Sequence, residues 1–265
     1  MVIGLINQAV YLCDRKFKDG GMMKKENGRW NNKTNISIII LIFIFIGVTN
    51  MNACGFLGFG GSISWKEEVL LQDGSKIVLE RLVNLGSKPS LDSHEREDLD
   101  ETVSFILPGS NKKIIWKTDF RDSKPEANSL NLLVLDIVKG TPYIATYPAG
   151  CIAYNKWKRP NPPYIFFKYN DNNWLQIPLQ EFPAEISKVN VIVGRPPAEL
   201  LRPFYTAEQV DEQNHDINTE AYKTIIRTPL KPGALGVSCE ELIYYKGEWI
   251  GPGDSIGRRM MDSHK

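Results

Sequence analysis

The chain has 265 residues, 32 basic against 31 acidic, a net charge of +1, and 42% hydrophobic and 10% aromatic content. That composition fits a folded globular body rather than a disordered tail. Charge this balanced gives no basic face, which argues against a nucleic-acid partner.

Residues 1–22 come first, and Met22 and Met23 stand directly before Lys24. This lead is read as an upstream mis-start or as a long cytoplasmic lead, and it is set aside from fold reasoning. Residues 23–53 have the anatomy of a signal peptide. Lys24, Lys25, Arg29 and Lys33 form a positive head, an apolar block runs from Ile36 to Val48, and Ala53 is a small residue before a cleavage point. The block is about 13 residues long, short of the ~20 that a spanning helix needs. The alternative is an uncleaved anchor lengthened by Thr49 to Ala53. In either case the basic head stays on the cytoplasmic side and the rest of the chain lies outside. Residues 54–265 carry 25 basic and 28 acidic side chains, a net charge near −3.

Met51-Asn52-Ala53-Cys54 resembles the lipobox of bacterial lipoproteins. The resemblance implies that Cys54 is acylated and becomes the first residue after cleavage. It also implies that Gly55 directs the protein to the periplasmic side of the outer membrane, with inner-membrane anchoring facing the periplasm as the alternative. The membrane is then a partner through a lipid anchor, and several acyl chains on one cysteine hold more firmly than one. The body is similar to envelope lipoproteins of Gram-negative bacteria, a resemblance that brings no activity with it.

With Cys54 lipidated, Cys151 and Cys239 are an even pair in an oxidising compartment, and a disulfide between them is expected. It closes a loop of roughly ninety residues, for which chain entropy gives roughly 4–5 kcal/mol. Two buried free thiols are the alternative. Neither cysteine has a second ligand at metal spacing, so no metal and no cofactor is called for.

Residues 54–64 are glycine-rich and read as a flexible tether. Residues 65–265 form the β-rich domain. Hairpins are predicted in succession: Trp65 to Leu71 with Lys76 to Leu82 around Asp73-Gly74, then Thr102 to Leu107 with Lys113 to Lys117. Leu132 to Val138 pairs with Tyr143 to Tyr147 around Lys139-Gly140, and Tyr164 to Tyr169 pairs with Trp174 to Leu179. Leu242 to Tyr245 pairs with Glu248 to Ile250 around Lys246-Gly247. Gly86 to Glu101, containing His94, reads as a long solvated loop. Thr206-Ala207-Glu208-Gln209 is a capping box that starts a helix, and a second helix is predicted over Thr219 to Arg227. The fold class is mainly β, with antiparallel hairpins in a sandwich or a partial propeller or barrel, and one or two short helices near residues 206–227. The Tyr169–Trp174 and Tyr244–Trp249 hairpins look alike, which reads as aromatic cross-strand packing more readily than as a blade repeat.

No catalytic motif emerges. Gly253-Asp254-Ser255-Ile256-Gly257 matches the pattern of a nucleophile elbow, with Asp262 and His264 following. An elbow needs a strand before it and a helix after it, and a tight glycine turn is expected here. The acidic run around His94 lacks the alternating ligands of a calcium loop, and His215 sits in a polar stretch. The expected recognition surface is the stretch around Cys151, with Tyr154, Lys156, Trp157, Arg159 and Tyr164 as its binding residues. Aromatics and cations together suit an envelope protein or glycan partner. The chain thus reads as a membrane-tethered binding or structural module outside the cytoplasm. The alternatives are an envelope hydrolase with unidentified acid and base residues, or an immunity or inhibitor lipoprotein.

Overall fold

The computed structural model describes residues 61–89, 96–121, 123–231 and 239–263. The stretches read as lead and signal peptide, with Cys54, His94 and His264, lie outside the described residues.

The body is mainly β, as predicted. Strands β1 (Ser62–Leu70), β2 (Lys76–Pro89), β3 (Arg96–Ile106) and β4 (Lys113–Asp119) form an antiparallel meander. Strands β5 (Leu130–Val138), β6 (Thr141–Pro148), β7 (Ile165–Asn170) and β8 (Asn173–Ile177) form a second. The short strand β9 (Phe204–Tyr205) adds to β1 in parallel, giving the order β4-β3-β2-β1-β9. The hairpin β10 (Ile243–Tyr245) and β11 (Glu248–Ile250) stands as a separate two-stranded sheet. No closed barrel forms among the described strands, and the arrangement is sandwich-like.

The turns explain why the hairpins were readable. Lys139 and Gly140 (φ 51° and 77°), Asp171 and Asn172 (46° and 69°), and Lys246 and Gly247 (46° and 100°) all take left-handed backbone at both central positions. That is the turn whose twist matches paired strands. The look-alike hairpins carry cross-strand aromatic pairs, with Tyr169–Trp174 centroids 5.1 Å apart and Tyr244–Trp249 centroids 5.5 Å apart.

Period-two burial builds the core. Val69, Leu79, Phe105 and Ile114 from the first sheet meet Leu132, Leu135, Ile144 and Ile165 from the second in one cluster. Each such side chain stabilises the fold by ~1.5–3 kcal/mol. A register shift between Leu132 and Val134 places an extra residue in β5. Leu133 and Val134 therefore face the opposite side, packing with Phe166, Phe182, Ile186 and Ala221. The run Leu132 to Leu135 is apolar throughout because both its faces are covered. β5 also lies at the sheet's edge, where its backbone would be unpaired. Asn190 fills that place: its Oδ1 accepts from Leu135 N–H at 3.1 Å, and its Nδ2 donates to Leu135 O at 2.8 Å and Leu70 O at 3.1 Å.

Three expectations need correction. First, the described parts of Gly86 to Glu101, residues 86–89 and 96–101, are strand and not loop. β2 runs to Pro89 and β3 starts at Arg96, with register shifts after Asn84 and after Leu85. The polar residues stay in the ladder because they find partners across it or from outside the sheet. Asn84 Nδ2 donates to Asp100 at 2.7 Å, and Arg195 Nε donates to Asp98 at 3.0 Å. Glu101 is 3% exposed and accepts from Arg81 Nε at 2.5 Å. Second, the helix predicted over Thr219 to Arg227 is only a 3-10 turn, Glu220–Tyr222. Its ladder is diverted: Ile225 N–H donates to Ser187 O at 2.8 Å, and Thr224 bridges Lys188. Third, the ladder begins at Ser62, inside the stretch read as tether. The capping-box helix forms as predicted, as Ala207–Gln213 with Thr206 capped by Gln209.

Candidate functional site

Helix α1 (Cys151–Lys156), which sequence reasoning did not foresee, follows Gly150. Gly150 sits at φ 93°, a conformation open to glycine, and the chain turns there from β6 into the helix. Lys158 and Arg159 then take φ of 61° and 54° and fold the chain back, with Arg159 N–H donating to Tyr154 O at 2.8 Å.

The five residues expected to form one binding surface separate. Lys156 is buried, and its Nζ donates to Asn128 Oδ1 at 2.8 Å. Trp157 Nε1 donates to Asn128 O at 2.8 Å, and its ring stands edge-on to Phe167. Tyr164 is 3% exposed. Its hydroxyl lies 2.8 Å from Ala221 O and 3.0 Å from Thr224 O, and it accepts from Ile226 N–H. Burial pushes the Tyr164 phenol up to about 12. Lys156 and Tyr164 are therefore structural rather than surface groups, because each has buried partners that hold it inward. Arg159 remains exposed, but its guanidinium is engaged: it stacks over Tyr154 at 5.1 Å and donates to Cys239 O and Glu240 O, both at 2.9 Å.

Tyr154, stacked under Arg159, also belongs to a second set. Tyr147 on β6 and Tyr222 in the 3-10 turn lie with ring centroids 4.4 Å apart at 32°. With Tyr154, Pro148, Gly150, Pro163 and Cys239 they line a cleft of about 450 Å³ that includes its open mouth. Cys239 is there because it is bonded to Cys151, with Cα atoms 5.3 Å apart; the expected pairing is found. Burial pushes the Tyr147 phenol up to about 12, and burial also raises Tyr222. Both hydroxyls thus stay neutral across the physiological range. Among the described residues the lining holds no carboxylate, amide or cationic side chain. Chemically the cleft offers flat rings, pyrrolidine edges and neutral hydroxyls.

The tight turn expected at the glycine-rich motif forms at its start, with Asp254 N–H donating to Gly251 O at 3.0 Å, but it does not stand alone. β11 leads through Gly251–Asp254 into helix α3 (Ser255–Ser263), so a strand and a helix do flank it. Asp254 caps that helix, accepting from Gly257 N–H at 2.7 Å. A side chain at Gly257 would crowd the Asp254 carboxylate that caps the helix, so that carboxylate would have to shift. Asp262 is held by Tyr245 and Lys246, two helical turns from Ser255. His215 is exposed beside Asp216. Among the described residues no cluster of three His, Cys, Asp or Glu forms a metal group.

Sequence reasoning named Tyr154 and the cysteines but missed the Tyr147–Tyr222 pair. Nothing local links two tyrosines so far apart in the chain. Compared with family models, curated proteins and solved structures, the chain matches none.

Proposed function

We propose that the protein is a lipid-tethered binding module on the periplasmic side of a bacterial outer membrane, anchored through Cys54 and recognising an extended peptide segment of an envelope partner. The observation that carries the recognition half is the cleft of Tyr147, Tyr154 and Tyr222 beside the Cys151–Cys239 disulfide. Aromatic-lined grooves accept proline-containing segments because such segments are pre-extended and bring flat rings with little entropy to lose. A glycan is the less suited ligand, since sugar hydroxyls call for carboxylates and amides, which the lining lacks. A hydrolase would need paired carboxylates facing the cleft, and no acidic residue lines it. The disulfide supports an exported setting, where such bonds persist, and the resemblance of Met51 to Cys54 to a lipobox supports the anchor.

Calorimetric titration with decaproline, and with chitotetraose for comparison, tests the cleft. Decaproline is expected to bind, and Tyr222→Ala to weaken it about tenfold or more. Saturable binding of chitotetraose lost in Tyr222→Ala would replace the peptide with a glycan. Decaproline binding indifferent to Tyr222→Ala would remove the cleft from the account.

A further inference from the structure

Beyond the cleft's ligand, the way the last part of the chain is attached has a chemistry of its own. Residues 240–263 contribute no buried side chain, and none of the three core clusters includes any of them. Yet they close on themselves. β10 pairs β11, Tyr244 packs on Trp249, and Asp262 at the end of α3 binds the Tyr245 hydroxyl and Lys246 in the hairpin turn. Arg258 reaches back to Pro252 O and lies 5.9 Å over the Tyr245 ring. This is a small arm with its own contacts.

Among the described residues, what joins it to the sandwich is narrow. Arg159 donates to Cys239 O and Glu240 O, Asn155 Nδ2 donates to Glu240 O at 2.9 Å, and Leu242 N–H donates to Asn155 Oδ1 at 3.0 Å. These bonds are exposed or half-buried, where water competes for the same groups. A further link is the disulfide. Cys151 and Cys239 are both half-buried rather than enclosed, and Cys239 forms part of the wall of an open cleft.

We propose that the Cys151–Cys239 bond is a thiol-exchange site whose cleavage releases residues 240–263 from the sandwich as a unit. The reductant is a small thiol or dithiol. Its thiolate attacks Cys239 Sγ from the cleft, the bond to Cys151 breaks, and Cys151 leaves as a thiolate that takes up a proton. A second thiolate then attacks the mixed disulfide, so that two reductant thiols become one disulfide while Cys151 and Cys239 become two thiols. Release also removes Cys239 from the cleft wall, so the site's shape depends on the redox state. The inference uses the geometry of the cleft and not its ligand, and it stands whether or not a peptide binds there.

Hydrogen exchange by mass spectrometry on the full chain, oxidised and after dithiothreitol, tests it, with peptide-level alkylation reporting each thiol. Once Cys151 and Cys239 are alkylated, amides of β10, β11 and α3 are expected to exchange about tenfold or more faster, while those of β1–β8 keep their protection. Arm amides unchanged after both thiols are alkylated would overturn the proposal, as would loss of protection in both sheets together with the arm. A disulfide that dithiothreitol cannot reduce in the folded protein would overturn it too. Oxidised Arg159→Ala is expected to keep its arm protected; release of the arm in that variant with the disulfide intact would show that the latch is the arginine.

Discussion

Glu67 occupies an inward position on β1 where period-two patterning calls for an apolar side chain, and it is fully buried. Trp65 Nε1 donates to its Oε2 at 3.0 Å, and Arg81 lies 3.6 Å from its Oε1. Arg81 also stacks on Trp65 at 4.8 Å and donates to Glu101 and to Ile192 O. Two carboxylates share one guanidinium here. Burial raises the Glu67 pKa above the usual carboxylate range and the Glu101 charge adds to this, while Arg81, the Trp65 indole and the Ile192 backbone oppose it. A group whose folded pKa is raised stabilises the fold below its unfolded pKa and loses that contribution as pH climbs through the folded one. Stability of the wild type is therefore expected to decline above the ordinary carboxylate range. Glu67→Gln, which removes the charge in similar volume, should flatten that decline in urea unfolding from about pH 4 to pH 9. Parallel profiles for the two proteins would show that Glu67 carries no shifted proton. Arg81→Met should cost about 3–5 kcal/mol in the same assay, because it leaves Glu101 buried without its partner. None of this was legible in the sequence. Glu101 ends an acidic run that looks solvated, and only the long-range pairing of β2 with β3 brings Arg81 to it.

At the scale of the element, local signals were sufficient where local chemistry decides. The five hairpins were readable from their turn residues, and helix α2 (Ala207–Gln213) from its cap. Thr206→Ala is expected to lower stability by about 1 kcal/mol, since it removes the acceptor for Gln209 N–H. The helix read over Thr219 to Arg227 failed for a tertiary reason. Ala221 O and Thr224 O are taken by the Tyr164 hydroxyl, and Ile225 N–H by Ser187 O. Its predicted apolar face was nonetheless right in part, because Ala221 and Ile225 are buried. Asn190 is the opposite case, an unremarkable amide in sequence that stands in for a missing strand. Asn190→Ala leaves Leu135 N–H and two carbonyls without partners at a buried edge. A loss of about 3 kcal/mol or more in thermal or urea unfolding is expected, against the small effect of an ordinary surface asparagine.

For the molecule as a whole, alternation and turns conveyed a mainly β body, and the structure resolves the choice toward a sandwich-like arrangement. The pairing of Cys151 with Cys239 followed from counting cysteines in a chain read as exported and is present. The candidate site was legible only in part: the stretch around Cys151 supplies Gly150 and Tyr154 to the cleft, but Lys156 and Tyr164 turn inward, and Tyr147 and Tyr222 meet through the fold alone. The placement of the molecule outside a membrane rests on the segment before Cys54 and, with it, on whether that cysteine is acylated. The direct measurement is metabolic palmitate labelling of cells expressing the wild type and Cys54→Ala. Label on the wild type that disappears in Cys54→Ala is the predicted result. A wild-type protein that accumulates to normal levels without label would contradict the anchored module.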